Sequence, residues 1–365
     1  MIVRTLIVIL CALITAGALT TVLVVILRQQ RGVRTESATV TENMPENASA
    51  QTVKPAEPSA DEKQDARTVR EITCVGDFSD EKWSEGIVGY RGKQYQYKSG
   101  LQNYLFLGID NDDVVKPAED GISGGQSDAI FLVVTDRSRQ EISVIAINRN
   151  TMVPVDVYDR DGNYLVQMDL QICLQHGYGD GMKLSCIRSV DAVNRLFKGI
   201  PISGYLSLNM GGLAALNDSI GGVELTPIES IKRGDVVITK GKPVTLNGEQ
   251  AYAYLRTRDV DEFASANNRL LRQQQYIVAV MEKLLADPGK ATRIYEEGSD
   301  YIVASIDLPK LVKDAKDMTF TEERMYSLTG ETEFKDDFEQ FHADEDALIQ
   351  LILNVFYEEL PSSGA

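Results

Sequence analysis

The sequence predicts an α/β protein, a three-layer α/β/α domain in which helices cover both faces of a central mixed sheet. Short, continuously apolar segments occur at residues 103–109, 129–135 and 141–147, as in strands that are buried on both faces. Amphipathic segments with helical spacing alternate with further strand-like segments. A chain of 365 residues with 43% hydrophobic side chains can bury one sizeable core, so one large domain is expected.

The first 34 residues predict a membrane anchor with a short cytoplasmic tip. Residues 5–27 carry no charge and match the roughly 20 residues that are needed to cross a bilayer. A cleaved signal peptide is the alternative because small residues stand at 16–18, but the apolar run continues too far for an ordinary signal. The arginines within residues 28–34 are weak evidence against an outward-facing domain, because positive charges favour the cytoplasmic side of a membrane helix. Long carboxy-terminal domains nevertheless translocate despite such a bias.

Residues 35–70 predict a flexible tether. They are rich in Ser, Thr, Ala, Glu, Gln and Pro and have almost no large apolar side chains, so they cannot bury enough surface to fold. The folded domain is therefore expected at residues 71–365.

The elements of this domain are predicted in chain order from their periodicity. Aromatic and polar residues alternate at 90–97, as in an edge strand or hairpin. The three apolar strands follow, and further strands are predicted at 204–208, 301–305 and 325–328. Helices are predicted at 189–196, 210–219, 247–255, 266–285 and 344–358, and Gly221-Gly222 ends the second of them.

Composition excludes several functional classes. The net charge of −17 argues against a nucleic-acid partner, because phosphate neutralisation requires a broad basic surface. No Cys/His metal spacing and no phosphate-binding glycine fingerprint occur. Cys173 and Cys186 are expected as buried free thiols, with a disulfide as the alternative. His176 lies in no nucleophile elbow, so a turn or packing role is expected.

Acidic residues stand at the ends of two predicted strands. Asp110 directly follows strand 103–109, and Asp128 directly precedes strand 129–135. In open α/β sheets ligands bind at strand ends, where carboxylates can hold a divalent cation. Asp110 and Asp128 are thus candidate ligands of a Mg²⁺ ion that is shared with a diphosphate. The alternative is that each only begins or caps a turn.

Basic residues occur near the end of a third strand and in two later segments. Arg149 follows strand 141–147, and its guanidinium group can form paired hydrogen bonds to a phosphate. Arg269, Arg272 and Gln273 are three and four residues apart, so they lie on one side of a predicted helix. Two more arginines, Arg256 and Arg258, share a face only if their segment is extended.

Convergence of these arginines in an acidic protein indicates a polyanionic ligand. The alternative is a solvated surface on which they pair with the carboxylates of residues 259–262.

Six sequence segments occur in the order found in the LytR-CpsA-Psr family: LFLGID, GGQSDAIFLVV, ISVIAINRNTMV, IPISGYLSLNMGGLAALNDSIGGVEL, LNGEQAYAYLRTRD and NRLLRQQQYI. They span about residues 103–285, and the ordered set is highly specific, so the chain resembles that family. The amino-terminal anchor and polar tether are also similar to it.

The resemblance implies a pocket for a polyprenyl chain, with arginines and Mg²⁺ holding the pyrophosphate head group. It implies transfer of an undecaprenyl-pyrophosphate-linked glycopolymer to peptidoglycan, with formation of a phosphodiester bond. The implied location is the cell membrane, with a single-pass anchor and an extracytoplasmic carboxy-terminal domain.

The family's functional positions carry over to this sequence. Asp110 and Asp128 resemble its metal-associated catalytic acids, and Arg149 resembles the catalytic, pyrophosphate-binding arginine of its Arg-Asp dipeptide. The implied pyrophosphate-binding set is completed by Arg256, Arg258, Arg269, Arg272 and Gln273.

Two positions depart from the family pattern: Asn150 stands where Asp is usual, and Gln126 where Arg is usual. An amide cannot accept a proton as a carboxylate does, so a catalytically weak, polyprenyl-pyrophosphate-binding envelope regulator is one alternative function. The sequence is also compatible with an envelope interaction module, which needs no buried arginines, and with a pyrophosphatase acting on the same lipid head group.

Overall fold

The computed structural model describes residues 69–71, 86–258, 263 and 265–361. The predicted membrane helix lies outside these residues, and so does the predicted tether except for its last two positions. Within the described part of the chain, no helix has the length and apolar character that crossing a membrane requires. Residues 69 and 70, assigned to the tether by the sequence, belong to a strand that ends at Glu71.

Eighteen strands occur among the described residues, numbered along the chain as β1 (Val69–Glu71), β2 (Ile87–Tyr90), β3 (Lys93–Tyr97), β4 (Leu101–Ile109), β5 (Ser127–Asp136), β6 (Glu141–Ile147), β7 (Met152–Tyr158), β8 (Tyr164–Gln171), β9 (Gly204–Asn209), β10 (Val223–Leu225), β11 (Ile231–Arg233), β12 (Val236–Ile238), β13 (Val244–Leu246), β14 (Ile302–Ala304), β15 (Met325–Ser327), β16 (Gly330–Lys335), β17 (Phe338–Ala343) and β18 (Tyr357–Glu359).

Eight α-helices occur in the same residues: α1 (Leu174–Gly177), α2 (Lys183–Leu196), α3 (Leu213–Ser219), α4 (Gly248–Arg256), α5 (Ser265–Ala286), α6 (Gly289–Gly298), α7 (Leu308–Ala315) and α8 (Glu345–Phe356). Short 3₁₀ turns occupy Met210–Gly212, Ser299–Tyr301 and Glu322–Arg324.

The central sheet has six strands in the order β14-β9-β4-β5-β6-β15. β4 and β9 are parallel, β6 and β15 are parallel, and the other neighbours are antiparallel, so the predicted mixed sheet is confirmed. The predicted strands at 103–109, 129–135, 141–147 and 204–208 are its four inner members. The edge strands β14 and β15 match the predictions at 301–305 and 325–328.

Side chains alternate between the two faces of this sheet. Leu105, Leu132 and Ile145 pack on one face against buried residues of α2 and α8. Phe131 and Val144 point to the other face, where α5 and α7 supply the apolar contacts. Both faces are therefore covered, which is why the strands read as continuous apolar runs.

Several elements differ from the sequence prediction. Helix α8 ends at Phe356, because Tyr357 leaves it to pair with Tyr97 of β3, and the two rings contact edge to face at 5.4 Å. Helix α2 begins at Lys183, earlier than the predicted residue 189. The predicted hairpin at 90–97 is confirmed as β2 and β3, with positive φ at Arg91 and Gly92 in its two-residue turn. The hairpins β7–β8, β11–β12 and β16–β17 were not predicted.

The topology brings three loops together where several strands of the central sheet end. β4 ends at this end of the sheet, the antiparallel β5 begins there, and β6 ends there as well. Asp110, Asp128 and Arg149 lie on these three loops and are therefore neighbours.

Candidate functional site

A β-bulge sets the direction of Asp128. In the pairing of β4 with β5, Gly108 lies opposite Ala129 and Ile109 lies opposite Ser127, so Asp128 is the extra residue. A bulge of this kind re-aims a side chain out of the regular alternation. The Asp128 carboxylate is only 5% exposed and points into a group of arginines.

Three guanidinium groups surround the Asp128 carboxylate. Arg149 donates to Oδ1, and Arg269 donates to Oδ2 at 2.8 Å. Arg256 lies 3.8 Å from Oδ2 and donates to the nearby carboxylate of Asp110. Residues from five separate segments of the chain thus form one charge cluster, in which Asp110 is the most exposed member at 42%.

Arg149 is held in position by its surroundings. One guanidinium nitrogen donates to the Gln126 side chain and lies 3.2 Å from Cys173 Sγ. The backbone N–H of Cys173 donates to the Arg149 carbonyl at 3.2 Å, and its own carbonyl accepts from Ser127. Gln126 therefore serves as a neutral acceptor for Arg149.

A second basic pocket lies beside the first. Arg272 is 2% exposed, donates to the Thr257 carbonyl and lies 3.3 Å from Glu229, although the geometry there is too poor for a hydrogen bond. Arg258 and Asn268 also line this cavity, which has a volume of about 110 Å³. Arg256 and Arg258 consequently face different parts of the site, since α4 ends at Arg256 and the chain then becomes extended.

Several buried donors in these two pockets lack a hydrogen-bond partner within the described part of the chain. They are Nε of Arg149, Nη2 of Arg269, Nε and Nη1 of Arg272, and the Thr257 hydroxyl. An unpaired buried donor costs about 1–3 kcal/mol, and more when it is charged. Such donors indicate that the site binds an acceptor-rich, anionic group.

Helix α5 places its polar residues inward. Arg269, Arg272 and Gln273 are buried on one side, as their spacing predicts, whereas Leu271 is 51% exposed. Burial lowers the pKa of Arg269 and Arg272, although both remain cationic at any physiological pH. Because Arg269 and Arg272 are buried, the alternative of a solvated ion-pair surface is wrong for them; the carboxylates at 259–262 lie outside the described residues.

An apolar cavity of about 260 Å³ begins directly beside the charged groups. The cavity is lined at this end by residues close in sequence to members of the charge cluster, namely Gly108, Ala129 and Gln273. From there the cavity continues between the sheet and helices α5 and α7. Apolar side chains such as Phe131 and Ile277 form nearly all of the remaining wall. The arrangement suits an amphiphile with an apolar tail and an anionic head.

His176 supports the loop that leads to Asp128. Its Nδ1 donates to the Gly125 carbonyl at 3.1 Å, and burial lowers its pKa to about 4, so the ring is neutral. Gly125 has φ +81°, a conformation that few L side chains adopt. The predicted packing role of His176 is confirmed, and Cys173 and Cys186 are buried free thiols as expected.

Asn150 lies near Arg149 but points elsewhere. Its amide donates to Glu339 Oε2 of β17 at 3.0 Å and accepts from Gln171 at 3.0 Å. Phe341 of the same strand donates to the Asn150 carbonyl. The β16–β17 hairpin thus holds the Arg149 loop, a contact between distant segments that sequence reasoning missed.

The donor set suits a magnesium ion in part. No group of three or more His, Cys, Asp or Glu side chains suited to a metal occurs in the residues that the structure describes. Asp110 and Asp128 nevertheless face one guanidinium group together, and Mg²⁺ commonly takes one or two carboxylates plus waters and phosphate oxygens. Asp110 and Asp128 are therefore the carboxylates that would hold a Mg²⁺ ion at this site, with waters and phosphate oxygens as its other ligands.

Comparison with known proteins identifies relatives of this chain. The model of the LytR_cpsA_psr family matches residues 59–352. The chain is 28% identical over 183 residues to the polyisoprenyl-teichoic acid–peptidoglycan teichoic acid transferase TagU of Enterococcus faecalis, covering 50% of this chain and 53% of TagU. It is 25% identical over 210 residues to the corresponding transferase TagV of Bacillus subtilis, covering 55% and 49%. The match thus spans about half the length of these curated relatives.

Solved structures show the same fold. The crystal structure of Bacillus subtilis TagV superposes with a TM-score of 0.56 at 21% identity, covering 71% of this chain and 96% of that one. TagT bound to LI-WTA superposes with a TM-score of 0.52 at 20% identity, covering 71% and 91%.

Proposed function

Because this chain belongs to the LytR_cpsA_psr family, we propose that it transfers a polyprenyl-pyrophosphate-linked glycopolymer to peptidoglycan, forming a phosphodiester bond. The observation that carries the proposal is a set of buried guanidinium donors next to an apolar cavity, which have no hydrogen-bond partner among the residues that the structure describes. Relatives named as teichoic acid transferases support the reaction class.

The two parts of the site match the two parts of a lipid-linked donor. The cavity removes the polyprenyl chain from water, which contributes roughly 25 cal/mol per Å² of buried apolar surface. The head group carries phosphate oxygens that accept several charged hydrogen bonds at once. Among the described residues, five arginines face three carboxylates, those of Asp110, Asp128 and Glu229, and this excess of guanidinium groups suits the pyrophosphate.

The arginines explain how the chain can promote transfer. The acceptor hydroxyl oxygen attacks the phosphorus that bears the glycopolymer, and the bond from that phosphorus to the bridging oxygen breaks, releasing polyprenyl phosphate. Negative charge grows on the phosphoryl oxygens, and preorganised guanidinium groups such as those of Arg149 and Arg269 stabilise it without reorganising. A Mg²⁺ ion held by Asp110 and Asp128 would neutralise part of the same charge.

The acceptor hydroxyl must also lose a proton. Asn150 cannot take it, since its amide is bonded to Glu339 and Gln171. Asp110 is half-exposed and pairs only with Arg256 among the described residues, so its carboxylate keeps acceptor positions for this proton. Asp128 is already bonded to Arg149 and Arg269 and is less suited to the role.

The location proposed for this activity is the outer side of the cell membrane. A polyprenyl-linked donor is available only at a bilayer, and the predicted anchor at residues 1–34 would keep the domain there through the tether.

A second candidate function is binding without efficient turnover. Asn150 favours it, because the usual carboxylate is replaced and the amide is engaged away from the charge cluster. Such a protein would act as an envelope regulator that senses the lipid pyrophosphate. The same pocket is expected in both cases, so only a transfer assay separates them.

Binding is measured first, with purified full-length chain and a polyprenyl pyrophosphate, in the presence and absence of Mg²⁺. Arg256→Ala and Arg272→Ala should each weaken binding by about 1.5–3 kcal/mol per charged hydrogen bond lost, or roughly 10- to 150-fold. Arg160→Ala is the matched control, since this arginine is 68% exposed and outside the site. Equal affinities in all four proteins would refute the site assignment.

Turnover is measured next, with a lipid-linked glycopolymer and peptidoglycan fragments. A covalent product that depends on Arg256 supports the transferase. Release of phosphate without such a product indicates a pyrophosphatase, and binding with neither product indicates the regulator.

A further inference from the structure

A second cavity lies away from the arginine cluster. It has a volume of about 660 Å³ and is bounded by β2, β3 and β18, which belong to a four-stranded sheet in the order β1-β2-β3-β18, by the end of β15 and by helix α8. We propose that this cavity, here called the tyrosine groove, binds an uncharged segment of the acceptor glycan, a chain of N-acetylated amino sugars. The proposal rests on the proposed transferase function and extends it to the acceptor.

Aromatic rings form the walls of the tyrosine groove. Tyr90, Tyr95, Tyr326 and Tyr357 all line it. Tyr95 and Tyr326 are half-buried, so part of each side chain remains accessible. Sugar rings present a face of C–H groups that packs against aromatic faces, while tyrosine hydroxyls supply hydrogen bonds at the ring edge. A rigid aromatic wall of this kind suits a saccharide.

A buried donor in the groove lacks a partner. Tyr90 is only 6% exposed, and its hydroxyl has no hydrogen-bond partner within the described ranges. Buried polar groups are nearly always hydrogen-bonded, so an unpaired hydroxyl in a cavity wall points to a polar ligand. A sugar hydroxyl or acetamido group is such a ligand.

The charged residues that line the groove are acidic. Asp344, Asp346 and Glu359 line it, and no Lys, Arg or His does so among the described residues. Asp346 pairs with Arg91 at 2.7 Å and Glu359 with Lys93 at 2.9 Å, and both carboxylates keep acceptor positions for sugar hydroxyls and amides. This lining suits an uncharged acceptor that is rich in hydrogen-bond donors.

The groove reaches the end of the central sheet at which the charge cluster lies. β15 runs parallel to β6, so Ser327 at the end of β15 and Arg149 after β6 lie at the same end of the sheet. Ser327 also accepts a hydrogen bond from Gln274 of α5, the helix that carries Arg269 and Arg272. A glycan lying in the groove would thus extend toward the site where its hydroxyl reacts.

The test uses full-length protein in detergent and tetra-N-acetylchitotetraose, an uncharged β-1,4-linked N-acetylglucosamine oligomer, with binding followed by ligand-observed NMR. We expect saturable binding, and Tyr326→Ala should raise Kd by about three- to tenfold. Gln350→Trp, on the exposed face of α8, should block the groove by bulk without removing any packing contact. Tyr295→Ala, a 45% exposed tyrosine on α6, is the matched control and should leave Kd unchanged.

Arg256→Ala separates this proposal from the proposed function. It should weaken binding of the lipid pyrophosphate by roughly 10- to 150-fold and leave oligosaccharide binding intact. No saturable oligosaccharide binding by wild type, or binding that neither Tyr326→Ala nor Gln350→Trp weakens, would overturn the groove assignment even if transfer activity is found. Oligosaccharide binding in the absence of any transfer would sustain the groove while refuting the transferase.

Discussion

Asp128 should be far more important for stability than Asp110, although both carboxylates bind arginines of the same cluster. The Asp128 side chain is 5% exposed and contacts Arg149, which is 14% exposed, and Arg269, which is 6% exposed. Removing one partner of a buried ion pair costs about 3–5 kcal/mol, because the remaining charge is buried without compensation. Asp128→Ala leaves two such guanidinium groups that also repel each other, so we expect the upper part of that range.

Asp110 provides the internal comparison. Its side chain is 42% exposed and forms one ion pair with Arg256, and exposed pairs contribute about 0–1 kcal/mol. The free energy of unfolding should therefore be at least about 2 kcal/mol higher for Asp110→Ala than for Asp128→Ala. Urea denaturation is the suitable assay, because guanidinium salts would screen the charges under study.

Ligand linkage gives a second reading of the same variant. Pyrophosphate can occupy the position of the lost carboxylate, so adding it should restore more stability to Asp128→Ala than to wild type. If Asp128→Ala is no less stable than Asp110→Ala, the burial argument for this cluster is refuted.

Three further predictions follow from single contacts. Burial lowers the pKa of His176 from 6.5 to about 4, so between these pH values the unfolded chain binds a proton that the folded chain does not. Wild type should therefore lose roughly 3 kcal/mol of stability as the pH falls through this window. Urea titrations should show a smaller loss for His176→Gln. Asn150→Asp puts a second carboxylate beside Glu339, whose Oε2 lies 3.0 Å from the Asn150 amide, and should destabilise the fold by about 1–3 kcal/mol. Glu339→Gln should restore the lost stability. Purely additive effects in the double-mutant cycle would contradict the contact. Ile277→Trp narrows the apolar cavity, so calorimetry should show weaker binding of a long-chain polyprenyl pyrophosphate and unchanged binding of inorganic pyrophosphate. An equal loss of affinity for both ligands would argue against this cavity as the binding site of the polyprenyl chain.

The central sheet was predictable because its strands are buried on both faces. Burial on both faces makes residues 129–135 and 141–147 continuously apolar, and that local signal survives in the sequence. The hairpins β7–β8 and β16–β17 were not predicted. No residue of β8 or β16 is buried, so these strands lack a continuous apolar run. The hairpins are stabilised by strand pairing and by contacts such as that of Phe341 with the Asn150 backbone.

The candidate site was predictable in its residues but not in its pairings. Spacing placed Arg269, Arg272 and Gln273 on one side of a helix, and strand ends identified Asp110 and Asp128. Nothing in the sequence shows that Asp128 rather than Asp110 is enclosed by guanidinium groups, because a β-bulge decides this direction. Thr257, Glu229 and Glu339 were missed as well, since each meets the site only through a contact between distant segments.

By itself the sequence determined what is local in this protein: the apolar strands, the helical spacing of the basic residues, the ordered family motifs and the uncharged stretch near the amino terminus. Tertiary structure alone decided which charges meet, how deeply each is buried and which donors have no partner among the described residues. The physical reason is that periodicity depends on neighbours a few residues apart, whereas ion pairing and desolvation depend on segments brought together by the sheet. Arg149 and Arg269 are 120 positions apart in the sequence, yet they share one carboxylate.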